Sequence, residues 1–173
     1  GCVNNGNYRY SENKLLPTNL EPKPEYEVHD GDILMSRASG SPELVGSTAI
    51  INGTRPKLMF SDKIFRIRLA PTVLPEFFVA AINSRFIRFQ IENALSGGNG
   101  LANNLPQSSL LDLVICHPPI YEQKQISEAL SKMLNRIGLL TSKTQLSIDL
   151  LKKRRSALIT AAVTGQIDLR GSV

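Results

Sequence analysis

Cysteine and histidine are scarce in this chain, with two of each among 173 residues. Cys116 and His117 are neighbours on a predicted strand, so their side chains point to opposite faces and cannot act as a pair. His29 falls in a predicted turn, and Cys2 stands far from both in sequence. This inventory supports neither a zinc site nor a nucleophile with its base. Nor do two cysteines make a disulfide framework, which points to an intracellular, cytoplasmic location. No apolar run approaches the ~18 residues of a membrane span, and no basic-then-apolar segment opens the chain as a signal would. The first residues, GCVNNG, lack a methionine and suggest a truncated or processed chain. "GSPELVGST" has the outline of a phosphate-binding loop. However, the gap from Gly40 to Gly46 is one residue too long for that loop, and its lysine is missing. No catalytic constellation and no cofactor site emerge.

What remains is an ordinary globular composition, 42% hydrophobic and 20% charged. It suffices for one full core, or for a smaller core plus an elongated element. The net charge of +5 is unevenly placed. Residues 1–120 hold eleven Lys/Arg against eleven Asp/Glu, whereas residues 121–173 hold nine against four. Inside the neutral part, residues 37–68 carry six cations (Arg37, Arg55, Lys57, Lys63, Arg66, Arg68) and only two acids, Glu43 and Asp62. Such a strip is a candidate anion-facing surface.

Residues 1–31, rich in Asn, Pro and Glu, read as loops with one or two short strands. "DGDILMSR" predicts a turn at Asp30 and Gly31 and a strand through Met35. "VGSTAIIN" predicts a second strand, closed by the Asn52–Gly53 turn signal. "KIFRIRL" alternates, with Phe65, Ile67 and Leu69 on one face and Arg66 and Arg68 on the other, about 7 Å apart. Those two arginines fit either a solvated sheet face or a phosphate contact. "LPEFFVAAINSRFIRFQIENALSGG" predicts one helix, with Pro75 in its first turn and Gly97 as its stop. Phe78, Ile82, Phe86 and Phe89 form its expected core stripe, and Arg85 and Arg88 share its outer face. "SGGNGLANNLPQSS" is a long Gly/Asn loop, and loops of that length are disproportionately functional. Asn99, Asn103 and Asn104 could bond adenine in a major groove, or simply make turns. "DLVICHPP" predicts a last strand ending at two prolines.

From Ile120 to Val163 proline is absent and Gly138 is the only glycine. Ile126, Leu130, Met133, Ile137 and Leu140 recur in steps of four and three, which is a coiled-coil seam. Beyond it Thr144 and Ser147 fall on the seam, while Leu146, Ile148, Leu150 and Leu151 start a second stripe. A helix this long, ~65 Å, cannot fold back over so small a domain and calls for a partner helix. Lys152, Lys153, Arg154 and Arg155 point almost all the way round it at about 100° per residue. Lys152 and Arg155 repel weakly at i, i+3, and Asp149 offsets part of this. The collar is either solvated or faces protein or nucleic acid.

Two stretches around this helix carry a family resemblance. "PPIYEQKQI", residues 118–126, resembles the Pro-Pro-x-x-Glu-Gln-x-x-Ile signature of specificity subunits of type I restriction–modification systems. "LLKKRRSALITAAVTGQIDL", residues 150–169, is similar to the same family's helix ending, with Arg155, Ile159, Val163, Thr164, Gly165 and Asp168 at matching places. "GDILMSR" and "VGSTAII" resemble segments of its recognition domains. The resemblance implies a subunit with two recognition domains, each reading a half-site, held apart by two antiparallel helices beside modification subunits. This sequence has one domain and one helix, and the Gly-rich opening of the domain is missing. It therefore resembles the C-terminal portion of a full subunit, or a half-subunit that must dimerise. The resemblance also places the cationic collar where the helix packs on its companion and on modification subunits, with Gly165 as the helix stop.

The expected fold is α+β: a target recognition domain over residues 1–119, mixing a small β-sheet with helices, then one long coiled-coil-forming helix over residues 120–168. The expected function is sequence-specific recognition of double-stranded DNA with no chemistry of its own. Arg55, Lys57, Arg66 and Arg68 are the phosphate candidates, with Lys63 a further DNA-binding candidate in the same strip; Asn99, Asn103 and Asn104, with Ser36 or Arg37, are the base-edge candidates. Partners are modification (methyltransferase) subunits and, through the seam, a second copy or the other half of the subunit. Neither membrane nor cofactor is implied. A coiled-coil scaffold with a protein-binding head is the alternative.

Overall fold

Val3–Asn4 (β1) and Asn7–Tyr8 (β2) form a hairpin whose turn places Asn5 and Gly6 at φ 42° and 85°. Both central residues need positive φ in such a turn, which Asn tolerates and glycine adopts without strain. The Gly6 N–H then donates to the Thr48 carbonyl at 2.9 Å, docking the hairpin on the main sheet. The computed structural model describes residues 1–96 and 103–167.

The main sheet is antiparallel, in the order β4–β3–β5, from Ile33–Ser36 (β3), Thr48–Ile50 (β4) and Ile64–Ile67 (β5). Ile33 lies opposite both Ile50 and Ile67, and Met35 opposite both Thr48 and Phe65. All four residues of β3 are buried. A central strand covered on both faces has no solvated side, so its sequence is a continuous apolar run and not an alternation. Leu34 joins Val3, Val28, Ala49 and Ile51 on one face, and Met35 joins Val45, Ile82, Ile87, Ile91 and Leu105 on the other. β5 sends Ile64 to the first cluster and Phe65 and Ile67 to the second.

Three expectations are corrected. The single helix over residues 74–98 is two, Pro75–Ile82 (α1) and Arg85–Ser96 (α2). The break is at Asn83, whose amide accepts from the Thr48 N–H at 3.0 Å and donates to the Thr48 carbonyl at 2.7 Å. It supplies to the outer edge of β4 what a further strand would supply. The break also changes the buried stripe. α2 buries Ile87 and Ile91, four residues apart, and Gly46 approaches Ile91 so closely that a Cβ there would stand 2.4 Å from its Cδ1. Phe86 and Phe89, expected in the core, are each 63% exposed. Arg88 is not on the outer face with exposed Arg85 but turns inward to backbone carbonyls of the β3–β4 loop.

The expected strand over residues 112–119 begins in a turn at Asp112 and continues without regular secondary structure. Leu113 and Ile115 do face the core, as alternation requires. Val114 has its backbone N–H and carbonyl bonded by the Gln90 side-chain amide, at 2.9 and 3.0 Å, so a side chain stands where a strand was expected. The expected loop before it contains a short helix, Gln107–Leu111 (α3), which turns Leu110 onto the core. Gly97, the expected helix stop, lies outside the described residues.

Ile120–Val163 (α4) is one helix of 44 residues. The chain divides into two compact units between Ser127 and Glu128, so the first two turns of α4 belong to the head. They are held there by Gln123, fully buried at 0% exposure. Its Oε1 accepts from the Leu74 N–H at 2.9 Å, and its Nε2 donates to the carbonyls of Thr72 and Pro118 at 3.0 and 2.8 Å. In the second unit Leu130, Met133, Ile137 and Leu140 are exposed along the seam, and Ile126, in the first unit, is half-buried. Thr144 and Ser147, the polar seam positions, bond their own helix at the carbonyls of Leu140 and Lys143. α4 ends at Gly165, φ 72°, with Gln166 N–H donating to Ala161 O at 2.8 Å and Gly165 N–H to Ala162 O at 3.2 Å. That pair of bonds is the Schellman ending, which satisfies the last carbonyls.

Candidate nucleic-acid interface

The nine candidate DNA residues among the described ones separate to two ends of the main sheet, because β3 and β5 are antiparallel. At the Ser36 end, β3 runs out into residues 37–40, which are held from both sides. Arg37 and Ala38 donate their N–H groups to the Lys63 carbonyl at 2.8 and 3.3 Å. On the other side Leu105 N–H donates to Arg37 O at 2.8 Å, Ser39 N–H to Asn103 O at 3.2 Å, and Asn103 Nδ2 to Gly40 O at 3.4 Å. Ala38 and Asn104 form a bridge between the two segments. Leu105, 0% exposed, anchors this arrangement in the core.

Arg37, Lys63, Asn103 and Asn104, more than 60 residues apart at the extremes, are thereby neighbours. Lys63 and Asn104 are exposed. The Arg37 guanidinium lies 5.4 Å from the Phe65 ring and donates to the Asp62 carbonyl at 3.4 Å; its Nε is buried and has no partner among the described residues. A guanidinium stacked on an aromatic face is held in one plane while part of its donor fork remains unused. Ser36 is buried at 7% exposure, with its backbone bonded to Ser47 and Gly46. Asn99 lies outside the described residues.

At the other end stand Arg55, Lys57, Arg66 and Arg68. Arg66 pairs with Asp32 at 3.0 Å, donates to the carbonyls of Glu25 and Glu27, and lies 4.7 Å from the Phe60 ring. Its donors are largely used inside the protein. Arg68, its neighbour on the same strand face, is exposed, and its side chain has no ion pair or hydrogen bond among the described residues. Arg55 is exposed and donates to Asn13 Oδ1 at 3.1 Å. Lys57, at φ 61°, is exposed beyond a backbone bond to Glu27 Oε1. The alternation of charge was legible in the sequence; which arginine of the pair has its donors occupied was not.

Burial pushes the Cys2 thiol above its ordinary value, where the half-buried side chain packs against the cluster around Val3. Among the described residues no three His, Cys, Asp or Glu side chains gather as a metal ion would require. Among the same residues no helix is long and apolar enough to cross a membrane.

A family model described as "Type I restriction modification DNA specificity domain" matches residues 3–148. The chain belongs to this family. The specificity domain is 34% identical, over 80% of its length, to the type I restriction enzyme EcoEI specificity subunit of Escherichia coli, of which it covers 23%. It is 26% identical over 95% of its length to the StySPI specificity subunit of Salmonella potsdam, covering 35% of that protein. The chain thus spans about a quarter to a third of the length of these curated relatives. No solved structure matches it significantly.

Proposed function

We propose that this chain reads one half of a bipartite double-stranded DNA target for a type I restriction–modification enzyme, and contributes no chemistry itself. The observation that carries the reading is the meeting of Arg37, Lys63, Asn103 and Asn104 around residues 37–40, in a chain of the specificity family. Cations and short amides side by side suit the two tasks of such an interface, holding phosphates and reading base edges. Lys63, Arg55, Lys57 and Arg68 are assigned to phosphates. Arg37, Asn103, Asn104 and Asn99 are assigned to bases. Arg66 and Ser36 are assigned to supporting the main sheet. Residues 1–119 form the recognition domain, and residues 120–168, of which α4 is the helical part, the spacer.

Through α4 the chain pairs with a second helix, from another copy or from the other half of a full subunit, and docks methyltransferase subunits. Four cations at residues 152–155 are followed by a mostly apolar stretch to residue 163, and Leu158, Ile159 and Val163 are exposed there. Deleting residues 152–173 abolishes co-purification with the methyltransferase subunit if docking uses this end; survival of the complex moves the docking surface elsewhere.

The DNA reading is tested by titrating short duplexes against the assembled complex at several salt concentrations. Neutralised phosphates give a steep linear fall of log affinity with log salt. Exposed Phe86 and Phe89 favour a second reading, a head that binds protein. Under it, DNA affinity is negligible at every salt concentration and the partner complex is insensitive to salt.

A further inference from the structure

The loop between β3 and β4, residues 37–46, is built more firmly than a connection between adjacent strands requires. Its base closes where Gly46 N–H donates to Ser36 O at 2.7 Å and Ser36 N–H to Ser47 O at 2.8 Å. Its first arm is clamped by Lys63 and Asn103, as described. Its second arm is gripped from α2 by Arg88. The Arg88 Nη1 donates to the carbonyls of Val45 and Glu43 at 2.5 and 3.1 Å, and Nη2 approaches Pro42 O at 3.4 Å. The Glu92 carboxylate, 3.2 Å from Nε, holds the guanidinium in place from the next turn of the helix. Within the loop, Ser39 Oγ accepts from the Ser41 N–H at 3.2 Å.

Between these two grips is a tip of small residues, with Gly40 and Pro42 exposed and Ser39 and Ser41 half-buried. It stands against Asn103, next to the bridge between Ala38 and Asn104. Serine hydroxyls both donate and accept, so a rigid Ser-Gly-Ser tip can meet the donors and acceptors of a base edge at close range. A flexible tip would discriminate less, because ordering it on binding costs free energy for every sequence alike.

We propose that residues 39–41 form a further base-reading element beside Asn103 and Asn104, and that Arg88 is the positioning residue that sets it. The inference rests on the proposed DNA reading. Arg88 touches no DNA in this scheme; it acts through the carbonyls of residues 42–45. Lysine at this position is a single point donor and cannot reproduce the planar grip on several carbonyls.

The test compares Arg88→Lys and Arg88→Ala with the parent chain in the assembled complex. Duplexes carry the cognate half-site or single-base changes in it. A changed base pair ordinarily weakens binding by roughly tenfold or more. With either substitution, discrimination at the positions read by the tip falls towards unity, while the slope of log affinity against log salt is unchanged. A lowered slope would make Arg88 a phosphate contact instead and overturn the proposal. Amide hydrogen exchange on the free chain gives a second reading, should Arg88→Ala fold poorly. In Arg88→Lys, amides of residues 39–45 exchange faster while those of Leu34 and Met35 do not. Unchanged protection of the loop would also overturn it. Lys63→Ala separates this outcome from failure of the DNA reading itself. If Lys63→Ala lowers the salt slope and Arg88→Lys leaves discrimination intact, only the role of Arg88 and the tip is wrong.

Discussion

The Gln123 side chain accepts from the Leu74 N–H while donating to two carbonyls, those of Thr72 and Pro118. One buried, uncharged group thus ties the segment before α1 to the start of α4. Replacing it with leucine keeps the volume and leaves the Leu74 N–H and the Pro118 carbonyl without that partner, while the Thr72 carbonyl keeps the His117 ring nitrogen at 3.1 Å. The expected cost is about 2–4 kcal/mol of head stability, since each buried unsatisfied group costs on the order of 1–3. Gln123→Glu should cost a similar amount, because a carboxylate cannot donate to the two carbonyls. Denaturant midpoints of the two variants check this, and midpoints equal to the parent's would count against it.

Arg66 and Arg68 should separate cleanly on substitution. Arg66→Ala removes the partner of Asp32 and of two carbonyls, and should destabilise the head by about 2–3 kcal/mol. Arg68→Ala should leave stability within about 0.5 kcal/mol and lower the salt slope of DNA binding by about one unit. Should Arg68→Ala leave the slope unchanged, its assignment to phosphate is wrong.

Leu130, Met133, Ile137 and Leu140 form an exposed stripe that favours pairing with another helix. The chain should therefore self-associate, as an antiparallel pair, at tens of micromolar. Replacing Leu130 and Ile137 together with lysine should weaken association by ~100-fold or more, from the lost burial of two large side chains per helix. Sedimentation velocity, with circular dichroism to verify the helix, decides between pair and monomer.

Alkaline pH should loosen the hairpin. Burial raises the pKa of Cys2 above 9.0, and burial likewise raises that of Tyr8 above 10.0. Both groups hold their protons more tightly folded than unfolded. Their contribution to stability is therefore complete below about pH 9 and is lost as pH rises through the raised values. Thermal midpoints should fall across this range, and Cys2→Ser should make the onset shallower. A flat profile from pH 9 upward would contradict the burial of both groups.

The sheet was legible because its signals are local: turns at Asp30–Gly31 and Asn52–Gly53, and apolar runs between them. The extent of α4 was legible for the same reason, from two prolines before it and Gly165 after it. The split between α1 and α2 was not, since Asn83 reads as an ordinary helical residue until Thr48 is beside it. Val114 carries a strand's alternation, yet nothing in its neighbourhood of sequence reveals that Gln90 occupies the strand's place. Phe86 and Phe89 had the right spacing for a core stripe in a helix that is not continuous. At the candidate interface, residue types were readable and pairing was not. Arg66 meets Asp32, Arg88 meets the β3–β4 loop, and Asn103 meets Gly40 only once distant segments have folded together.

Asn83, Gln90 and Gln123 have a shared consequence for the chemical lifetime of the protein. Each seals a junction by using an amide as donor and acceptor at once. Amide side chains are among the thermolabile groups of proteins. Hydrolysis turns one into a carboxylate, which still accepts but no longer donates at neutral pH, and sets negative charge against a carbonyl. Hydrolysis at any of these three joints would therefore damage the head, and cooling would not restore it. Loss of the fold by that route follows a rate, not an equilibrium.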